Sequence, residues 1–214
     1  MKRYPIPAAD ARVEIEVMNS RFIAVAGAVF SVEEARAFVQ AIKTEFRDAS
    51  HHVPAFLVGF GSSVIAHSSD DGEPSGTAGR PALTVLQGSG LGDVAVVVTR
   101  YYGGIKLGTG GLVRAYTDAV KAVLAVLPRA EKVPTYTVLL EVPYPLFEQT
   151  RLLSQKHAGK ILEEDFGAAV TLTIQFMVEK LEGFNQELRE LSRGECQALI
   201  LETNLDTIMP LGSG

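Results

Sequence analysis

The stretch Val98-Thr-Arg-Tyr-Tyr-Gly-Gly-Ile-Lys-Leu-Gly-Thr-Gly-Gly-Leu-Val-Arg114 gathers residue types that handle anions. Five glycines fall within nine residues: Gly103, Gly104, Gly108, Gly110 and Gly111. Glycine lets a ligand approach the backbone closely and reaches positive φ. Arg100, Lys106 and Arg114 add positive charge, and Tyr101 and Tyr102 add stacking surface. Where such a turn opens a helix, here near Thr109 to Leu112, free amides attract an anion. A phosphate or nucleic-acid contact is the favoured reading. The competing one is a tight strand-to-helix connection and nothing more. The segment is not a nucleotide P-loop: Gly103 to Gly108 has the spacing, but Thr109 stands where lysine is required. Gly88-Ser-Gly90-Leu-Gly92 precedes a strand and reads as a turn.

A second segment, Ser69-Asp-Asp-Gly-Glu-Pro-Ser-Gly-Thr-Ala-Gly-Arg80, places Asp70, Asp71 and Glu73 close together. Three carboxylates can hold Mg²⁺, fix the arginines of the first segment, or face solvent in an acidic turn. Ser75 and Thr77 lack a recognisable general base. His51, His52 and His67 are a weak zinc pattern, because adjacent strand residues point to opposite faces. His157 ends a helix, where a cation suits the dipole. Cys196 reads as a small apolar residue. No metal or cofactor is assigned.

Hydrophobic spacing sets the elements that must position these residues. Val13, Ile15 and Val17 alternate as a half-buried strand, and Arg21 to Phe30 follows as a second apolar run. Ser31-Val-Glu-Glu34 is a capping box opening a helix over about 32–46. Pro54–Gly61 and Val64–His67 read as short strands around a Gly61-Ser62-Ser63 turn. Ser68–Arg80 reads as a loop, and 81–87 as a short helix opened by Pro81. Val94–Thr99 has almost no polar interruption, as in a strand covered on both faces. Leu112, Ala115, Tyr116, Ala119, Val123 and Leu127 give a helical stripe that Pro128 ends. The polar run Arg129–Pro134 is the predicted domain boundary. Beyond it the pattern is β-α-β-β-α-β, with a last strand over Gln197–Glu202, the order of a ferredoxin-like unit.

Composition narrows the classes. Of 214 residues, 47% are apolar and 21% charged, which excludes disorder. No run of about 18 uncharged apolar residues is present, so no membrane partner is expected. The single Cys196 cannot form an internal disulfide, and the N-terminus does not read as a secretory signal, so a cytoplasmic setting is expected. The formal charge is −5, but residues 1–134 hold 14 basic and 13 acidic side chains, whereas 135–214 hold 6 and 12. Any polyanion site must therefore be a local patch in the first part.

Asp70-Asp-Gly-Glu-Pro-Ser-Gly-Thr-Ala-Gly-Arg-Pro81 and Val96–Tyr116, with Ser20-Arg-Phe-Ile23 and His51-His52, resemble the IMPACT family, in its bacterial YigZ-like branch. The resemblance runs over residues 4–127 by motif and 135–206 by domain pattern. It implies an α+β chain of two domains. Residues 1–130 would resemble domain IV of elongation factor G, a ribosomal protein-like α/β fold. Residues 135–206 would form a ferredoxin-like domain resembling domain V of that factor. The resemblance implies that eukaryotic members regulate translation initiation by interfering with activation of a stress kinase, using an additional N-terminal domain; about 20 residues precede Arg21 here, so that kinase role is not expected. The implied function is RNA or ribosome binding in the regulation of translation, an enzymatic role being less expected. The alternatives are a metal-dependent hydrolase acting on a phosphorylated or peptide substrate, or a protein-interaction module with a protein partner. The motif residues carried over are Asp70, Asp71, Gly72, Glu73, Arg80, Arg100, Tyr101, Gly103, Gly104, Gly108 and Arg114, beside Lys106, Gly110 and Gly111.

Overall fold

Alternating apolar side chains build the strands, and the computed structural model, which describes residues 3–210, divides into two units between Glu131 and Lys132. The first runs β1 (Tyr4–Pro7), β2 (Ala11–Val17), β3 (Ser20–Ala28), α1 (Val32–Glu45), β4 (His51–Val58), β5 (Ile65–Ser68), α2 (Gly79–Gly88), β6 (Val94–Tyr101) and α3 (Gly108–Val126). Five strands form a sheet in the order β2-β3-β6-β4-β5, each pair antiparallel.

The sheet is covered on both faces. Phe22, Ala24 and Ala26 of β3 and Val94, Val96 and Val98 of β6 pack against α2 and α3. The intervening Ile23, Val25 and Val97 pack against Ile42 of α1, and Ala95 and Phe56 against Ala35. Central β6 thus has no solvent-facing side, which explains its unbroken apolar run.

Local chemistry fixes the joints. Met18 and Asn19 take φ of 48° and 64°, as a two-residue hairpin with positive φ at both centres requires, and Val17 pairs with Ser20 across it. At α1 the Ser31 hydroxyl accepts the Glu34 amide at 3.0 Å. The Glu34 carboxylate reaches one residue beyond the box, accepting the Phe30 amide at 2.8 Å.

The second unit contains β7 (Arg129–Val142, divided at Lys132), α4 (Tyr144–Lys156), β8 (Lys160–Phe166), β9 (Val170–Met177), α5 (Val178–Leu191) and β10 (Leu199–Pro210). The order β10-β7-β9-β8 is that of a ferredoxin-like split β-α-β unit. Val170, Leu172, Ile174 and Phe176 of β9 face Leu181, Phe184 and Leu188 of α5. Cys196 is buried beneath them. Burial pushes its thiol up, against the opposing effect of a bond with Ser192.

Two strands run beyond the residues that the sequence marks as strand. The units divide inside the predicted boundary run Arg129–Pro134, and β7 already starts at Arg129, with Ala130 and Val133 buried. The last strand runs on to Pro210, beyond Glu202. Its second half carries Leu205, Ile208 and Met209 without regular alternation, yet Thr207 meets Thr135 at 2.6 Å and Asp206 pairs with Lys132 at 3.1 Å. Among the described residues, no helix is long and apolar enough to cross a membrane.

Ile174→Ala, at a fully buried position, is expected to destabilise its unit by about 2–5 kcal/mol. Urea unfolding followed by circular dichroism checks it.

Candidate functional site

The pleat of β6 decides where its charge goes. Arg100 follows Val96 and Val98 on the α2/α3 face, so a guanidinium enters a layer of otherwise apolar side chains. It is 5% exposed. Nη1 donates to Glu73 Oε1 at 2.7 Å, and Nη2 lies 3.4 Å from Ser20 Oγ. The guanidinium sits 5.4 Å from the ring centres of both Phe22 and Tyr102. Its Nε is buried without an acceptor among the described residues. Tyr116, from the third turn of α3, donates its hydroxyl to the same Glu73 Oε1 at 2.8 Å. Burial, then the charge of Glu73, push this phenol far up, so it stays a donor. A buried ion pair survives only with such added hydrogen bonds.

The loop before α2 aims Glu73. Asp70 caps the helix: its carboxylate accepts amides from Gly76 at 2.8 Å, Ala78 at 3.0 Å and Gly79 at 2.8 Å. Burial alone would raise the Asp70 carboxyl, but these three bonds hold it below the usual range. Asp71 and Gly72 both have positive φ, 46° and 87°, and turn the chain back. The Asp71 carboxylate then takes Lys43 Nζ and the His52 amide, both at 2.7 Å. Here too burial opposes, and Lys43 with the His52 amide lowers the pKa. The Asp71 carbonyl lies 2.8 Å from His51 Nδ1. A carbonyl only accepts, so Nδ1 carries the proton and Nε2 faces Glu73 Oε1 at 3.8 Å.

The three acids therefore turn to three different partners. Among the described residues, no group of three or more His, Cys, Asp or Glu gathers as metal ligands would. His52 binds the Phe46 carbonyl through Nε2 at 2.9 Å, and His67 packs on Phe56 at 5.1 Å. The Mg²⁺ and zinc readings have no converging geometry among the described residues, because these side chains turn to separate partners.

The two sequence motifs meet at one pocket of about 460 Å³. Buried Glu73 and Arg100 form its floor; Tyr102, Lys106, Gly108 and Thr109 are its exposed rim. Gly103 is required beside it, because a Cβ there would stand 2.0 Å from the Asn19 carbonyl oxygen. Its amide reaches Ser20 Oγ at 3.2 Å, so the β2–β3 turn anchors the loop. Gly108, at φ 70°, opens α3 behind Leu107, which offers no side-chain cap. Gly104 and Gly110 are exposed and Gly111 half-buried.

Other motif residues lie apart from this pocket. Tyr101 points to the α1 face, since the pleat alternates, and donates its hydroxyl to Asp48 at 2.8 Å. Tyr102, one residue on, takes the pocket position. Arg80 on α2 and Arg114 on α3 are exposed and do not line the pocket. Sequence reasoning missed the roles of Ser20, Lys43 and Tyr116. Only Tyr116 gave a signal: a tyrosine in an apolar stripe needs a partner for its hydroxyl.

A two-domain α+β chain, with an acidic loop locked to a glycine-rich strand-to-helix turn, defines the class. The family model of the Impact N-terminal domain matches residues 18–124, and that of a domain of unknown function (DUF1949) matches residues 140–195. The chain is 41% identical to IMPACT family member YigZ of Escherichia coli over 203 residues, 94% of this chain and 100% of that one. It is 40% identical to an IMPACT family member of Haemophilus influenzae, covering 94% and 98%. A crystal structure of a hypothetical protein, 40% identical, matches with a TM-score of 0.61 over 94% of this chain and 98% of that chain. The chain belongs to the IMPACT family.

Arg100→Ala leaves Glu73 buried without its cation and is expected to cost about 3–5 kcal/mol. Arg114→Ala, exposed, is expected to stay within about 0.5 kcal/mol. Chemical denaturation of both variants checks the contrast. Asp70 and Asp71 have lowered pKa values in the fold, so their contribution is present above the ordinary carboxylate pKa, about 4, and lost as pH falls through the folded values. The thermal midpoint should drop below about pH 4; Asp70→Asn should start lower at neutral pH and drop less.

Proposed function

We infer that this chain binds RNA, in a role in the regulation of translation, through the surface around the first turn of α3. The observation that carries the reading is that turn: Gly108, Thr109 and Gly110 are exposed, and Leu107 at the N-cap gives the helix no side-chain cap. Its amides and the positive end of the helix dipole favour an anion. Lys106 precedes it on the exposed loop, and Arg114 is exposed farther along the helix. Tyr102, 48% exposed, offers a ring for base stacking. The family resemblance directs the reading to translation and names the ribosome as the RNA-bearing partner.

Arg100 serves this surface indirectly, since its charge is matched by Glu73; the contacts to phosphate fall to Lys106, Arg114 and the helix amides. The test is co-sedimentation with purified ribosomes and binding of single-stranded RNA across a salt series. Neutralising one phosphate contact fewer lowers the log–log salt slope by about 0.7 for single strands. Lys106→Ala/Arg114→Ala is expected to flatten the slope by about 1.4 and leave the thermal midpoint unchanged. An unchanged slope, or binding indifferent to salt, overturns the reading.

A further inference from the structure

A phosphate on the first turn of α3 sits at the pocket's rim, beside Lys106, Gly108 and Thr109, and leaves the interior unused; that interior is poorly made for an anion. Its floor pairs Arg100 with Glu73, so the buried charges cancel. Pro74, Leu107 and Leu112 supply apolar walls, and Tyr102 stands at the mouth. The volume, about 460 Å³, falls in the small-ligand range of roughly 300–1,000 Å³. Apolar walls, an aromatic ring and a polar floor suit a flat ring with a polar edge. A splayed-out RNA base is such a ring, stacked on its face and read along its edge.

The floor dictates which edge. Arg100 and Tyr116 both donate to Glu73 Oε1. Among the described residues, Oε2 accepts no hydrogen bond, and a carboxylate oxygen accepts but cannot donate. A base on a bound strand enters with the edge farthest from its sugar. In cytosine and adenine that edge leads with an amino group, a donor that suits Glu73. In uracil it leads with a carbonyl oxygen, which the carboxylate repels.

Resting on the RNA-binding reading above, we propose that the pocket beside α3 holds one unpaired base, and that Glu73 selects cytosine or adenine over uracil. Tyr102 stacks on the ring and positions it.

The experiment compares fluorescence anisotropy of cytidine and uridine octamers, which differ at that leading group. The wild-type chain is expected to bind the cytidine octamer about tenfold more tightly. In Glu73→Gln the amide oxygen keeps Arg100 and Tyr116, and the amide nitrogen turns a donor toward the base; the preference should vanish or reverse while binding persists. If Glu73→Gln does not fold, Tyr102→Ala, at an exposed position, decides: the cytidine octamer should weaken about tenfold and its advantage over uridine should shrink. Equal wild-type affinity for both octamers overturns the base pocket and leaves RNA binding standing. A preference unchanged in folded Glu73→Gln, or in Tyr102→Ala where that variant decides, also overturns it. No binding of either octamer overturns the RNA reading and the pocket with it.

Discussion

A guanidinium buried in an apolar layer is the constraint on which the first unit depends. Arg100 cannot sit between Phe22 and the α3 helix as a bare charge; burying one without a partner costs several kcal/mol. Glu73 must therefore arrive at the same depth, and Tyr116 must be a tyrosine to complete the acceptor. That requirement sets the course of the loop from Ser69 to Ala78. Asp70 ties its end to the start of α2, and Asp71 ties its middle to α1 and β4 through Lys43 and His52. Each acid of the motif thus has a distinct mechanical duty, and only Glu73 faces the pocket.

The glycine-rich segment is shaped by the same demand. Arg100 fixes the end of β6, so the chain must leave the sheet directly beside the β2–β3 turn. Only a residue without Cβ fits against Asn19, hence Gly103. The chain then has a few residues in which to reverse and start α3 with Tyr116 aimed inward. The exposed amides of the first turn follow from that geometry. Packing and the proposed ligand surface therefore ask different things of these glycines: Gly103 is needed for packing, while Gly108 and Gly110 leave the helix start open.

Much of the fold was legible in the sequence. Alternation marked β2 and β9, and the Ser31–Glu34 box marked α1, because these signals are local and repeat with the period of the element. The start of β7, polar in composition, and the end of β10, whose Leu205, Ile208 and Met209 do not alternate regularly, were not legible, since partner strands define them. The site was half legible. Its two segments stood out by residue type, but their pairing did not: Glu73 to Arg100 spans 27 positions and Arg100 to Ser20 spans 80. Nor did spacing alone decide between Tyr101 and Tyr102, because the strand's last residue and the first loop residue obey different rules.

The central strand carries one further consequence, in time rather than space. β3 hydrogen-bonds to β6 with Arg21 opposite Tyr101, 80 positions later. A ribosome adds about 5–20 residues per second, so β3 waits roughly 4–16 s for its neighbour to be made. During that interval Ile23 and Val25 can gain α1, but the face carrying Phe22 has no α3 to cover it and the edge that β6 will fill is open. Contacts this remote close slowly even in the finished chain. A nascent chain of this protein therefore spends its first seconds as an amphipathic hairpin with a sticky edge, the kind of segment that chaperones bind.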